Sequence, residues 1–272
     1  LILLPIQLAV SVAMLAVLIG VTGQAVSWSP EMRRLGALGI LNPGVSYALG
    51  LVGLTYITAS LSVLLWATEP LLILVLAWGL FGDMVTRQLV AAAVVAATGV
   101  ILVIFEGGSA GRLVGVALTM AAVAACAVYT VITRKLMVQD SALAVVTVQQ
   151  ICALAFSLAL AAVVTIVGHF PVLSDVTAAA WISAILSGLL YYAIAFWFYL
   201  AGLRRVSAAV AGMFINLIPI FGIAAGHVLL NERLTARQWI GALLIVAAVA
   251  AILYEQSRRE SASASADIRP SV

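Results

Sequence analysis

The chain has 272 residues, 65% of them hydrophobic and 8% charged, with a net charge of +3. Soluble domains carry roughly 25% charged residues, and 10 acids with 13 bases cannot give a chain of this length a polar skin. A water-soluble globular protein is thereby excluded, lipid is left as the solvent of the outer surface, and nothing in the charge calls for a nucleic-acid partner.

Apolar runs of roughly 18–25 residues, the length that crosses a ~30 Å hydrocarbon core, alternate with short charged clusters. In lipid every backbone polar group has to be satisfied within the chain, so such runs are helices. The alternating ~10-residue segments of a membrane barrel are absent. Nine helices are predicted in chain order, near 1–24, 35–55, 58–81, 87–105, 112–134, 142–168, 177–202, 207–230 and 237–254. The chain opens at Leu1, already apolar and without a methionine, and a preceding segment is expected. Turn and charge residues fill the connections: Ser29-Pro30-Glu31, Phe81-Gly82-Asp83, Glu106-Gly107-Gly108 and Asn231-Glu232-Arg233. Residues 255–272, with their Ser-Ala repeat, are expected to form a disordered tail.

Lysine and arginine divide unevenly between the two sides of this topology. One side collects Arg33, Arg34, Arg87, Arg134, Lys135, Arg204, Arg205, Arg258, Arg259 and Arg269; the other has Arg112, Arg233 and Arg237. That asymmetry places the first side, and the C-terminus, in the cytoplasm. Cys126 and Cys152 lie within apolar runs at no metal-ligand spacing, so they are read as small buried hydrophobes, and no cofactor is expected.

A shift of 149 residues aligns the chain with itself. Gly39 falls on Gly188, Gly53-Leu54 on Gly202-Leu203, Thr58-Ala59 on Ser207-Ala208, Pro70 on Pro219, Asp83 on Glu232, Thr86 on Thr235 and Glu106 on Glu255. The shift carries helix two onto helix seven, and a displacement of five helices reverses the direction of crossing. An all-α membrane protein of two inverted five-helix repeats is therefore expected, with nine helices visible and the first of ten missing. The domains are 1–106 and 112–254, followed by the tail. In such an architecture one repeat rocks against the other around a central site.

Gly53-Leu-x-x-x-Thr58-Ala59-Ser60, Trp66-Ala-Thr-Glu69-Pro70-Leu71 and Glu232-Arg-Leu-Thr235-Ala-Arg-Gln238 resemble the drug/metabolite transporter superfamily, in its ten-helix, EamA-type branch. The resemblance implies a basket of helices around a cavity, in the inner (plasma) membrane of a bacterial cell. It also implies movement of amino acids, nucleotide sugars, sugar phosphates or other metabolites, without choosing among them.

Glu69 stands near the middle of helix three, where an acid costs roughly 2.5–3.5 kcal/mol to insert. It reads as a proton-coupling group or as the counter-charge to a substrate ammonium. The competing reading is a protonated acid that joins two helices by a hydrogen bond. Pro70 and Pro219, at matched positions, remove one N–H each and free the carbonyl four residues back; paired interruptions point to hinges beside a transporter's site. Ser62, Trp66 and Glu69 follow the i, i+4, i+7 spacing of one helix face. Asn216, Asn42, Ser46 and Tyr191 complete the candidate cavity, each with interhelical hydrogen bonding as its alternative. Ala93, Ala97, Gly241 and Ala248 form small-residue surfaces suited to close packing, including between the subunits of a homodimer. Asp83 and Glu232 are expected to cap the helices that follow them.

The function expected is secondary transport of a small molecule, amino acids foremost, by alternating access, with proton coupling through Glu69. The alternative is proton-coupled efflux of lipophilic cations. An intramembrane enzyme would need paired catalytic groups at one depth, and Glu69 has no such partner in the sequence.

Overall fold

The computed structural model describes residues 2–24, 26, 28–81, 87–104, 110–136, 141–167, 176–203 and 218–267. Among the described residues there is no strand. The first helix is α1 (Leu3–Thr22). A second is broken into α2 (Pro30–Gly39), a π-helical stretch (Ile40–Val45) and α3 (Ser46–Gly53). Then come α4 (Ala59–Trp66), α5 (Glu69–Phe81), α6 (Arg87–Ile104), α7 (Ala110–Leu136) and α8 (Ala142–Ile166). A further broken helix comprises α9 (Ala178–Leu186), a π-helical stretch (Ser187–Ala195) and α10 (Phe196–Leu203). It is followed by α11 (Ile218–Leu230) and α12 (Ala236–Asp267). Five of these helices, counting the broken ones whole, are long and apolar enough to cross a membrane.

Helix ends follow local chemistry. Ser29 Oγ accepts from Met32 N at 3.1 Å, with Pro30 at the first helical position. This serine–proline pair is a standard helix start, so α2 begins five residues before the expected Leu35. Thr58 caps α4 and Thr177 caps α9 in the same way. Gly23, at φ +65°, ends α1 in the left-handed conformation that glycine adopts without penalty. Where a disordered tail was expected, α12 continues to Asp267; Ala, Glu and Arg are strong helix formers and carry it past Tyr254.

Two compact units interleave the sequence. Unit 1 comprises residues 1–52 and 128–202; unit 2 comprises 53–127 and 203–272.

In unit 1, α1 and α8 pack on each other and on the two broken helices. Leu4, Leu8, Ala48, Ala153 and Tyr192 form the cluster that ties them. Lipid offers no hydrophobic drive for helix association, so close backbone approach does the work. A Cβ on Gly39 would lie 2.0 Å from the Gln149 carbonyl oxygen, and one on Gly188 would lie 2.6 Å from that of Gln7. The two glycines superposed by the 149-residue shift thus make the same kind of contact. The π-helical stretches correspond as well, since 40–45 maps to 189–194, inside 187–195.

In unit 2, α4 packs on α11 and on α6, and α6 lies along α12. Ile57, Leu61, Leu64, Leu65, Val116 and Ile245 form one core; Leu71, Ala92, Ala96, Ala248, Val249 and Ile252 form another. Gly99 lies against the Gly241 carbonyl, its would-be Cβ at 2.7 Å. The small-residue stripe of α6 is therefore Ala92, Ala96 and Gly99, one residue out of register from the expected Ala93 and Ala97. Ala93 is half-buried and Ala97 exposed.

Glu232 is a cap, but not of the helix that follows it. Its oxygens accept from Ala59 N at 2.9 Å and Ser60 N at 2.8 Å, at the start of α4. The following helix, α12, is closed by a reciprocal box: Thr235 N donates to Gln238 Oε1 at 2.9 Å, and Gln238 N to Thr235 Oγ1 at 3.4 Å. Burial pushes the Glu232 carboxyl up, but the Ser60 hydroxyl and the Ser60 and Ala59 N–H groups outweigh it and hold the group below its usual range. A depressed folded value stabilises above the unfolded value of about 4.3, and that stabilisation is lost as pH falls through the folded value. In detergent, the thermal midpoint of wild type is expected to exceed that of Glu232→Gln at neutral pH. The gap should close between about pH 5 and pH 3; a gap that persists unchanged at acid pH contradicts the assignment.

Candidate functional site

Unit 1 carries a dense set of buried polar side chains where its two long helices break. Asn42 is 1% exposed and extended (φ −145°, ψ 120°) within an otherwise helical run. The following Pro43 has no N–H to continue the ladder. Ser46 is fully buried one turn further on. Gln7 Nε2 donates to Ser187 Oγ at 2.8 Å, and Gln150 Nε2 to the Tyr192 carbonyl at 2.9 Å. Gln149 accepts from the Tyr129 hydroxyl at 2.8 Å and donates to the Leu35 carbonyl at 3.2 Å. Gln7 and Gln150 brace the π-helical stretch of the second broken helix, and Gln149 ties α2 at Leu35 to α7 at Tyr129.

Five buried oxygens in unit 1 have no hydrogen-bond partner: Gln7 Oε1, Ser11 Oγ, Asn42 Oδ1, Thr133 Oγ1 and Gln150 Oε1. Leaving such an atom unsatisfied costs about 1–3 kcal/mol, so five in one unit is a large outlay for a purely structural region. Beside them Tyr47, Tyr191, Tyr192 and Phe196 form an aromatic group with ring centroids 5.3–6.4 Å apart. Tyr192 and Phe196 are buried, Tyr47 is half-buried and Tyr191 is exposed. The hydroxyls of Tyr47 and Tyr191 share a hydrogen bond.

Unit 2 holds the acid. Glu69 is 8% exposed, and Cys126 Sγ donates to its Oε1 at 3.3 Å. The helix that carries it is not continuous: α4 ends at Trp66, and α5 starts at Glu69 after a turn at Ala67–Thr68. Thr68 Oγ1 donates to the Leu65 carbonyl at 2.7 Å across that turn. Glu69 therefore sits in the first turn of α5, where Leu71 N and Leu72 N donate to the Thr68 carbonyl at 3.1 and 3.2 Å. Pro70 beside it lacks only an N–H that the helix does not need there.

Of the candidates drawn from the sequence, Asn42, Ser46 and Tyr191 lie in unit 1, and the first two share one broken helix. Ser62, Trp66, Glu69, Pro70 and Pro219 lie in unit 2. Ser62 and Trp66 share a face of α4, and Glu69 follows the turn at Ala67–Thr68 as the first residue of α5. Pro219 is buried, in α11. Asn216, Asp83 and Thr86 lie outside the described residues. The sequence reading missed Pro43 and the three glutamines. An Asn-Pro pair and Gln-Gln within apolar runs were the available signals. A separate cavity of about 360 Å³ in unit 2 is lined in part by Thr55, Tyr56, Thr58, Arg112 and Gln238. It contains none of the sequence-derived candidates.

Fold and site together define a polytopic helical membrane protein whose helices break around buried polar groups. The profile of the EamA-like transporter family matches residues 3–105 and 113–254. The chain belongs to that family, within the drug/metabolite transporter superfamily, and is a multi-pass membrane transporter. An uncharacterized transporter of Archaeoglobus fulgidus is 23% identical over 249 residues, spanning 89% of this chain and 84% of the relative. The uncharacterized transporter YetK of Bacillus subtilis is 26% identical over 204 residues, or 73% of this chain and 61% of that protein. One crystal structure shares the fold at a TM-score of 0.66 and 18% identity, covering 92% of this chain and 86% of its own.

Proposed function

We propose that this chain is a secondary active transporter that exports a small metabolite, amino acids foremost, by alternating access. In this reading Glu69 exchanges the coupled proton and the polar break region of unit 1 receives substrate. The observation that carries it is the set of buried, unpartnered oxygens in unit 1, Asn42 within one interrupted helix and Gln7 and Gln150 bonded to the other. Membrane transporters place their sites at such interruptions. An inverted-repeat arrangement, with halves 1–106 and 112–254, is supported by the matching π-helical stretches and by the matching close contacts at Gly39 and Gly188. The setting is a bacterial inner membrane with the C-terminus in the cytoplasm, as the lysine and arginine asymmetry indicates.

The aromatic group of Tyr47, Tyr191, Tyr192 and Phe196 favours a second reading, proton-coupled efflux of lipophilic cations, because ring faces attract positive charge. Reconstitution separates the two. Purified protein in proteoliposomes is given a pool of labelled amino acids or a cationic dye such as ethidium, with and without an imposed pH gradient. Saturable, gradient-driven movement of an amino acid is the expected result. Movement of the dye alone installs the second reading, and movement of neither refutes both.

A further inference from the structure

The unpartnered atoms of unit 1 have a chemical sign. Three of the five are amide carbonyl oxygens, Gln7 Oε1, Asn42 Oδ1 and Gln150 Oε1. The amide nitrogens of the two glutamines donate to Ser187 Oγ and to the Tyr192 carbonyl; the second partner, an acceptor only, fixes the Gln150 amide with its oxygen turned away from that bond. Gln149 is satisfied at both ends. The region is therefore rich in acceptors, with one N–H of each of Gln7 and Gln150 already committed. A hydroxyl or amide ligand brings acceptors of its own that would need donors. An ammonium brings three donors and no acceptor.

Three observations bring together the segments that carry these groups. Ser187 and Tyr192, gripped by Gln7 and Gln150, are five residues apart in one π-helical stretch, the separation of a single π turn. Leu8 next to Gln7, Ala153 one turn from Gln150, and Tyr192 belong to one packed cluster. Tyr47, five residues after Asn42, lies with its ring 5.3 Å from that of Tyr192. Among the described residues of unit 1 no acid or base is buried. A positive charge would thus be met by carbonyl dipoles and ring faces, with no formal counter-charge.

We propose that the break region of unit 1 is the subsite for a protonated primary amine on the substrate, with Gln7, Asn42 and Gln150 as its acceptors. The assignment deepens the transport reading and takes its physiological meaning from it. Its test, however, is a binding measurement that requires no flux.

Detergent-solubilised protein is titrated with phenethylamine, 2-phenylethanol and 3-phenylpropionate, which differ only in an ammonium, hydroxyl or carboxylate head. Binding is read by thermal shift and calorimetry. Phenethylamine is expected to bind and the other two are not. Gln7→Leu and Asn42→Leu should each weaken the amine about tenfold or more, as lost hydrogen bonds to a charged group. Gln7→Glu, in which the Ser187 hydroxyl turns to donate, should tighten it. Each variant's own midpoint without ligand establishes that it is folded. Equal binding of phenethylamine and 2-phenylethanol overturns the proposal. So does amine affinity indifferent to all three variants, or loss confined to Glu69→Gln, which would put the amine in unit 2. A protein that binds the amine as expected but moves nothing would fail the transport reading alone.

Discussion

Glu69→Gln is expected to abolish gradient-driven accumulation while leaving exchange of substrate across the bilayer intact. One pH unit is worth about 1.4 kcal/mol per proton, so one-to-one coupling supports about tenfold accumulation; in the variant the ratio should fall to about one. The argument rests on position. Glu69 is the buried acid among the described residues, set in the first turn of α5 with the Cys126 thiol donating to it. A glutamine matches the carboxyl in shape and still accepts from the thiol, but it cannot release a proton. If Glu69 served only to join helices, the substitution would leave both accumulation and exchange near wild type. Proteoliposome uptake with and without the gradient distinguishes the outcomes.

The second large effect is on stability. Gly39→Ala is expected to lower the thermal midpoint by roughly 2–12 °C, from about 1–3 kcal/mol of overpacking at ~2–4 °C per kcal/mol for a chain of this class. The added carbon would lie 2.0 Å from the Gln149 carbonyl oxygen and 2.6 Å from its carbon. Both are backbone atoms, so α2 and α8 must part. Gly188→Ala meets the Gln7 carbonyl at 2.6 Å and Val10 Cβ at 2.8 Å, and should act alike. Gly20→Ala is the control, since nothing lies within 4 Å of its would-be Cβ. Its midpoint should hold or rise slightly, alanine being the better helix former by about 1 kcal/mol. Fluorescence-detected thermal unfolding of the three variants is sufficient; equal shifts in all three would refute the close-approach account.

The helices were legible because membrane thickness imposes a length on every apolar run, and each of the nine expected spans contains helix wherever its residues are described, 207–230 from Ile218 onward and 58–81 as two helices. What composition could not reveal was where a run stops being regular. Ser29-Pro30-Glu31 was read as a connection although it is a cap followed by a helix start. Pro70 was read as an interruption at the Trp66 carbonyl, and α4 ends at Trp66 with α5 resuming at Glu69; that the interruption is a full turn was not foreseen. The break at Asn42-Pro43 and the matching π-helical stretch around Tyr191 were not foreseen. The second has no proline, and its geometry is stabilised by glutamines distant in sequence, Gln7 and Gln150. Glu232 illustrates the same limit: its partners lie 172 and 173 residues away, on α4, while the local threonine and glutamine supply the cap expected of it. Ala93 and Ala97 miss the packed stripe by one position, because an alanine-rich helix presents small residues on every face. The interleaving of both sequence halves in each compact unit arises from contacts that no local pattern encodes.

The most direct test of the transport account is counterflow without any imposed gradient. Proteoliposomes preloaded with an unlabelled amino acid are diluted into a trace of the same compound labelled, and internal label is followed in time. A carrier that presents its site alternately to the two sides predicts a transient overshoot of label above its equilibrium level, absent from liposomes without protein. Uptake that rises monotonically and is identical with and without preload, for every amino acid tried, would contradict alternating-access amino-acid transport by this chain.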